Sequence, residues 1–246
     1  MLENDPEKRI SLSKVIDQLT PLHPTNRLSL LQYDSRNLLC SIGTPSSVYH
    51  VGTFEGSPLA VKRVPWKNCT TKSFEELKRL DHSNIVRLLH FDQDDLYKYF
   101  GMELHVASMD QFFLPEDDPK KYNGPIPSEE QFCFQLISGL EYIHEQNLVR
   151  RSIKPTNVSI SSRKDPQIKL SDFGLTTSSL NDGHSTKRLI SGFPSSQYCL
   201  APELLECDST DGQSTKESDI FAAESVFFYF LSNKAAIRLG MQPTKY

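Results

Sequence analysis

The stretch LVRRSIKPTNVSI, residues 148–160, is the most informative part of this sequence. It joins a helical pattern to a short strand pattern and concentrates charged and polar side chains between them. Lys154 and Asn157 stand two and five residues after Ser152. Taken singly, Asn157 is most simply a turn residue. Its interpretation therefore depends on what the rest of the chain supplies around this loop.

The residues on both sides of the loop predict an α-rich half of the chain. Ser128 and Gln131 form a capping-box pattern ahead of the loop. The apolar residues that follow at helical spacing are Phe132, Leu136, Ile137, Leu140 and Ile143. After the loop, short strands are predicted around NVSI and QIKL. They precede an apolar helix at 220–231 that Ser218 or Asp219 would cap.

The preceding half predicts a small antiparallel sheet with one helix. Strand-like segments occur at 38–42, 47–53 and 58–64, and the turn FEGSP lies between the last two. A short helix pattern, KSFEELKRL, follows, and two more strand candidates lie around IVRLLHF and YKYFGMEL. A β-rich half before an α-rich half is an α+β arrangement, and the cleft between them is its natural ligand site.

Composition and charge exclude several classes of function. With 246 residues, of which 37% are hydrophobic and 24% charged, the chain is typical of a globular protein. A net charge of −4 argues against a nucleic-acid partner, and basic residues such as Arg150 and Arg151 are expected to be solvated or phosphate-facing. Five scattered cysteines indicate reduced thiols and a cytoplasmic location. No apolar run is long enough to predict a membrane span.

Three further motifs point to phosphate and metal chemistry. LAVKRV places Lys62 on a strand, where a lysine that faces a cleft can pair with phosphates. SDFGLTT supplies Asp172, a carboxylate next to a flexible glycine that can hold Mg²⁺. CLAPELLE supplies Ala201, Pro202 and Glu203. Glu203 lies thirty-one residues after Asp172. Each tripeptide could occur by chance, but their combined order and spacing could hardly do so.

In this order and spacing, the chain resembles the eukaryotic protein kinase family over roughly residues 38 to 232. Within the family, AVKRV, DHSNIVRL and SGFPSSQYCLAPELL are most similar to the inositol-requiring kinase/endoribonuclease sensors of the unfolded-protein response. The resemblance implies an α+β bilobal fold with a β-rich N-lobe at 38–105 and a truncated α-rich C-lobe at 106–246. Residues 1–19 resemble the end of a kinase C-lobe, and residues 20–37 would be a linker.

The resemblance implies ATP as the cofactor of the cleft and assigns residues to it. The nucleotide-binding set comprises Gly43, Val48, Ala60, Lys62, Glu103 and His105. The lysine would contact the α- and β-phosphates, and Ala60 and Val48 would cover the adenine. The backbone of Glu103 and His105 would hydrogen-bond the base.

The resemblance also implies Mg²⁺, which Asn157 and Asp172 would bind. Lys154 would steady the transferring phosphate. Ser152 occupies the position of the family's catalytic aspartate. The partner of Lys62 would be Glu75 or Glu76 on the small helix.

Departures from the family pattern cluster at the places where chemistry happens. Ser152 cannot act as a carboxylate base, and loss of a general base typically costs ~10²- to 10⁴-fold in rate. Pro45 replaces a glycine of the phosphate loop and removes a backbone donor. Ser159 replaces the leucine expected at the floor of the adenine pocket. The sequence therefore predicts a pseudokinase that is deficient in phosphoryl transfer.

Two alternatives remain open. The first is a residually active Ser/Thr protein kinase that orients a substrate hydroxyl through Lys154 and a water. The second is a gene fragment without a folded product. Fourteen residues follow Ser232, which predicts an exposed apolar patch and a partner such as another kinase-like protomer. The patch would comprise Phe227, Phe228, Phe230 and Leu231. Residues 1–19 are predicted to be the remnant of a preceding tandem unit. The alternatives are a segment that folds back to pair Arg9 with Glu203 and a lone amphipathic helix.

Overall fold

The computed structural model describes residues 31–40, 48–66, 77–161, 164–172, 198–205 and 214–239. These residues form an N-lobe built on a five-stranded sheet and a C-lobe of helices with a three-stranded sheet. The predicted α+β bilobal arrangement is confirmed. Several predictions lie outside the described residues, namely those for Arg9, Gly43, Pro45, Glu75 and Glu76.

The sheet of the N-lobe is antiparallel throughout, with strand order β1-β2-β3-β5-β4. Its strands are β1 Leu31–Cys40, β2 Val48–Phe54, β3 Ser57–Pro65, β4 Leu88–Gln93 and β5 Tyr97–Met102. The β2–β3 hairpin turns at Glu55 and Gly56, which both have positive φ, as a two-residue turn of this kind requires. β1 begins at Leu31, within the segment predicted as a linker, so the sheet starts earlier than its apolar pattern indicated.

In the described residues, the C-lobe includes the second sheet, the helices α1 to α3 and short 3-10 turns. Its strands are β6 Ala107–Ser108, β7 Val158–Ile160 and β8 Ile168–Leu170, in the order β6-β7-β8. Its helices are α1 Glu129–Glu145, the short α2 Pro202–Leu205 and α3 Lys216–Arg238. The 3-10 turns cover Met109–Phe113 and Pro155–Asn157. The short strands predicted around NVSI and QIKL are confirmed as β7 and β8.

Helix α1 begins as predicted. The Ser128 hydroxyl accepts from the Gln131 amide at 3.1 Å, and the Gln131 side chain accepts from the Ser128 amide at 3.1 Å. Its buried apolar positions are Phe132, Leu136, Leu140 and Ile143. Ile137 was predicted on the same face but is 54% exposed, because one residue turns a helix by about 100° and moves Ile137 off the stripe.

Helix α3 begins earlier than predicted and has a different cap. Thr215 is the capping residue: its hydroxyl accepts from the Ser218 amide at 3.2 Å, while the Ser218 hydroxyl accepts from the Thr215 amide at 2.9 Å. Ser218 is therefore the third residue of a capping box and not the cap. Asp219, the other predicted cap, faces the loop at 148–160 instead. Neither α3 nor any other helix in the described ranges is long and apolar enough to cross a membrane.

Aromatic rings join α1 to α3 at the centre of the C-lobe. The rings of Phe132 and Phe230 stack with centroids 3.9 Å apart, and Phe113 meets Phe230 edge-on at 5.9 Å. Both Phe132 and Phe230 are fully buried. Phe228 is 74% exposed, so the predicted apolar patch is correct for Phe228 and wrong for Phe230. The two residues lie on different sides of α3 because they are about 200° apart around the helix axis.

A loop of the N-lobe is bonded directly to β8 of the C-lobe. The Val86 amide donates to the Leu170 carbonyl at 2.9 Å, and the Leu170 amide donates to the Asn84 carbonyl at 2.8 Å. The Asn84 side chain adds a bond to the Ile168 carbonyl at 2.8 Å. Helix α1 approaches closely here, since a Cβ on Gly139 would lie 2.8 Å from the Asn84 carbonyl oxygen. These contacts fix the floor and the back wall of the interlobe cleft.

Candidate functional site

Lys62 projects from the middle of β3, and its side chain is 2% exposed. β3 pairs with β2 on one side and with β5 on the other, where Lys62 lies opposite Phe100. The Lys62 ammonium forms an ion pair with the Asp172 carboxylate. This contact joins a strand of the N-lobe to the residue pair that follows β8 in the C-lobe. Two residues chosen from separate motifs therefore meet in the cleft.

Asp172 and Arg151 both have left-handed backbones, with φ of +58° and +65°. Such conformations cost free energy in residues other than glycine, and they concentrate at functional sites. Asp172 is also positioned by its neighbour, because the Ser171 amide donates to the Asn157 carbonyl at 2.9 Å. The segments that carry Asn157 and Asp172 are therefore bonded side by side.

The amide of Asn157 has a defined orientation. Its Nδ2 donates to the backbone carbonyl and to the hydroxyl oxygen of Ser152, both at 3.0 Å. Since only the nitrogen can donate to two oxygens, Oδ1 is the atom that faces away from Ser152. Asn157 is 1% exposed, so this orientation is also held by packing. An amide oxygen held in this way is a suitable ligand for a hard cation.

The backbone around Arg150 and Arg151 is anchored to α3. The carboxylate of Asp219 accepts from the Arg150 amide at 2.6 Å and from the Arg151 amide at 2.7 Å. It also contacts His144 Nε2 at 3.0 Å. The sequence prediction missed this role because Asp219 lies near the start of a helix, where an acidic residue is readily explained as a cap. The local sequence carries no separate signal for this role, since Glu217 and Glu224 are also acidic residues of this helix.

Arg150 is buried, whereas the sequence predicted a solvated or phosphate-facing side chain. Its Nη2 donates to the Ser171 carbonyl, directly before Asp172. The prediction was wrong because it treated the basic residues as one surface group. In the structure, Arg150 lies under the loop and supports the backbone that carries the cleft carboxylate.

Lys154 lies half-buried near the same group of charges. Burial lowers the pKa of Lys154, the negative charge of Asp172 opposes this effect, and the positive charge of Arg150 adds to it. The charge of Lys154 is thus close enough to that of Asp172 for the two to interact. The lysine is therefore a partly desolvated cation beside the predicted metal ligand.

Ser159 is fully buried in β7, and its hydroxyl lies 3.1 Å from that of Ser171. A buried hydroxyl without a partner is costly, and this pairing removes that cost. The predicted polar substitution in the floor of the cleft is thus accommodated by a second serine. The sequence shows Ser171 directly before Asp172, but no local rule predicts that it pairs with Ser159.

The segment 103–106, hereafter the hinge, connects β5 to β6. The Glu103 amide donates to the Arg87 carbonyl at 3.1 Å, and the Val106 amide donates to the Ile160 carbonyl at 2.9 Å. Between these points, the Glu103 carbonyl and the His105 amide take part in none of the backbone hydrogen bonds that join described residues outside the helices and strands. This acceptor and this donor, like the backbone groups of Leu104 between them, are available to a ligand.

The remaining predicted contacts of the cleft lie on adjacent strands. Ala60 is buried in β3 directly opposite Met102, the last residue before the hinge. Val48 is the first residue of β2, the strand that pairs with β3. The structure thus brings together Lys62, Lys154, Asn157 and Asp172, together with the hinge, while Gly43 lies outside the described residues.

Comparison with known proteins gives the family of this fold and site. Residues 41–244 match the protein kinase domain. The chain belongs to the protein kinase family. The Lys62–Asp172 pair and the loop that carries Ser152 and Asn157 both lie within the residues that match this domain.

Curated relatives of this kinase domain include two that combine a kinase with an endoribonuclease. Human serine/threonine-protein kinase/endoribonuclease IRE2 is 34% identical over 188 residues, which cover 74% of this chain and 20% of the relative. Serine/threonine-protein kinase/endoribonuclease ire-1 of Caenorhabditis elegans is 29% identical over 212 residues, covering 83% and 21%. Rat 3-phosphoinositide-dependent protein kinase 1 is 28% identical over 183 residues, covering 72% and 29%. The chain spans about a fifth of the length of the two kinase/endoribonucleases.

The Asp172 carboxylate and the Asn157 amide are oxygen donors of the kind that Mg²⁺ takes. Among the described residues, no three or more His, Cys, Asp or Glu side chains are grouped so as to hold a metal. Mg²⁺ typically takes one or two protein carboxylates and completes its shell with substrate phosphates and water. The Asp172 carboxylate and the Asn157 Oδ1 suit that role.

Proposed function

We propose that this protein kinase domain binds ATP with Mg²⁺ and is deficient in phosphoryl transfer. The observation that carries the proposal is the hydrogen bond between the Ser152 hydroxyl and Asn157 Nδ2 at 3.0 Å. A serine occupies the position of the general base, yet the loop around it is fully built. The proposed binding groups and the serine that replaces the base thus lie in the same site.

Each binding group has a defined task in the proposal. The Lys62 ammonium holds phosphate oxygens, and Asn157 Oδ1 with the Asp172 carboxylate holds the metal. The carbonyl of Glu103 and the amide of His105 hydrogen-bond the adenine edge. ATP with Mg²⁺ would supply the transferable γ-phosphoryl group. Ser152 cannot accept the proton of an acceptor alcohol, because a protonated hydroxyl is a far weaker base than a carboxylate.

The binding part of the proposal is tested by thermal unfolding with ATP and Mg²⁺, with ATP and a chelator, and without ligand. A ligand present at 100 times its Kd stabilises the native state by about 2.7 kcal/mol. We expect the wild type to show this effect with Mg²⁺ and Asp172→Ala to lose it. Glu116→Gln is the matched control, because Glu116 is 87% exposed and lies outside the cleft. A wild-type Tm that is unchanged at every ATP concentration would refute nucleotide binding.

The transfer part is tested by the incorporation of labelled phosphate into the protein and into a generic substrate. We expect the wild type to label no faster than Lys62→Ala, and Ser152→Ala to behave like the wild type. Labelling that Lys62→Ala abolishes, even at a rate well below the ~1–100 s⁻¹ of active kinases, would contradict the proposal. It would favour the residually active Ser/Thr kinase, whereas failure to unfold cooperatively would favour a fragment without a fold.

The proposal also includes the biological setting of the domain. Its similarity to kinase/endoribonucleases supports a relation to sensors of the unfolded-protein response. A second kinase-like protomer or another protein is the partner class that we propose. We propose a cytoplasmic location, which is supported by the free thiols of Cys133 and Cys199.

A further inference from the structure

The three-stranded sheet presents a polar face to the N-lobe. Val158 and Ile160 are buried in the core of the C-lobe, so Ser159 between them faces the opposite way. Lys169 pairs with Ser159 across the strands and therefore lies on the same face. The Lys169 ammonium reaches the Glu103 carboxylate at 2.8 Å. A lysine of the C-lobe is thus bound to the first residue of the hinge.

Glu103 is held by three contacts that together define its conformation. Its amide donates to the Arg87 carbonyl at 3.1 Å. Its Oε1 accepts from the Arg87 amide at 2.9 Å and from Lys169 Nζ at 2.8 Å. Since one oxygen atom receives both donors, the side chain cannot turn without breaking the contact to one of them. These contacts fix the backbone of Glu103, whose carbonyl is the proposed hydrogen-bond acceptor for the adenine.

Ion pairs at protein surfaces usually contribute little to stability. The Lys169–Glu103 ion pair is better placed than most to stabilise the hinge. The side chain of Lys169 is 13% exposed and that of Glu103 is 28% exposed, so both are partly shielded from water. Arg87 adds a charge-assisted hydrogen bond to the same carboxylate. The hinge is held at its other end by the bond from Val106 to Ile160.

We propose that Lys169 and Glu103 form a positioning pair that sets the geometry of the hinge and thereby the affinity for the nucleotide. This inference rests on the proposed function, because it concerns the same site. It concerns two side chains that need not touch the nucleotide: the affinity depends on a lysine of the C-lobe that acts through the backbone carbonyl of Glu103. The alternative is a pair that stabilises the fold and leaves binding unaffected.

The experiment compares the Kd for ATP with Mg²⁺, by calorimetry, at a temperature where every variant is folded. The variants are Lys169→Met, Glu103→Gln, the double variant, Lys169→Arg and the control Glu116→Gln. Coupled residues are typically non-additive, so we expect each of the first two substitutions to weaken binding about three- to tenfold and the double variant to weaken it no further. Lys169→Arg, which keeps the charge, should remain within about twofold of the wild type.

Amide hydrogen exchange of the ligand-free protein provides a readout that does not depend on nucleotide. Exchange at the Glu103 and Val106 amides, which donate to the Arg87 and Ile160 carbonyls, should be faster in Lys169→Met than in the wild type, with no change at Phe132 in α1. If the wild type binds no nucleotide, the proposed function fails and this measurement still tests the pair. Unchanged exchange in the hinge, or a lowered Tm with an unchanged Kd, would overturn the inference. Equal weakening of binding by Glu116→Gln would also overturn it, because the effect would then be one of net charge.

Discussion

Asp219→Asn tests whether the loop at 148–160 depends on its attachment to α3. The carboxylate is 1% exposed and receives the Arg150 amide at 2.6 Å, the Arg151 amide at 2.7 Å and His144 Nε2 at 3.0 Å. An asparagine keeps one oxygen and replaces the other with an NH₂ group. Whichever backbone amide meets that NH₂ group faces a donor in place of an acceptor.

The magnitude follows from this count of hydrogen bonds. Loss of a bond to a charged acceptor costs about 1.5–3 kcal/mol, and a buried amide left unsatisfied costs about 1–3 kcal/mol. These costs partly overlap, so we expect Asp219→Asn to lower the free energy of unfolding by about 3–5 kcal/mol. Total stabilities of about 5–15 kcal/mol are usual, so the variant should be folded but much less stable.

Urea denaturation would be followed by circular dichroism and by the fluorescence of Trp66, the single tryptophan, which lies in the N-lobe. Coincident transitions would justify two-state analysis. Glu224→Gln is the matched control, because it removes an exposed carboxylate from the same helix and should change stability by less than about 0.5 kcal/mol. A loss below about 1 kcal/mol for Asp219→Asn would show that α3 does not hold the loop in the way described.

Two further perturbations test the core and the hinge. Phe230→Ala removes a fully buried ring and should lower the free energy of unfolding, measured in urea, by about 3–5 kcal/mol. Phe228→Ala changes a position that is 74% exposed and should alter the same quantity by less than about 0.5 kcal/mol. Equal effects of the two substitutions would contradict the packing described for α3. Burial lowers the pKa of His105 below 6.5, so the unfolded chain binds a proton first and wild-type stability falls as the pH drops from 6.5 toward the lower folded-state pKa. His105→Gln should lose less stability than the wild type between neutral pH and about pH 5, and an equal loss in both proteins would exclude this role for His105.

Local chemistry made much of this fold predictable from the sequence. Ser128 and Gln131 predicted the start of α1 because a capping box is complete within four residues. The FEGSP turn predicted the β2–β3 hairpin because the residues that form a tight turn are also adjacent in the sequence. The spacing of the motifs matched a known family, and this match predicted that the groups of the cleft lie close together in space. Their chemical roles stay predictions.

Contacts between residues that are far apart in the sequence could not be predicted from local sequence patterns. Asp219 looked like a cap, and only the fold shows that residues 69 and 68 positions away donate to it. Ile137 fitted the apolar spacing within the tolerance of a helical stripe, yet it faces outward. The partner of Lys169 lies 66 residues earlier in the sequence, in a segment whose conformation no local rule specifies.

The attachment of the loop at Asn84 to β8 determines how the two lobes can move. Because Val86 and Leu170 share a backbone bond, and because α1 leaves no room beside the Asn84 carbonyl, this piece of the N-lobe must travel with the C-lobe. We expect any rotation of the five-stranded sheet to pivot near Arg87, which lies between these bonds and the start of β4 at Leu88. Rotation of the sheet changes the separation of Lys62 from Asp172, while the metal-binding pair of the C-lobe keeps its own spacing.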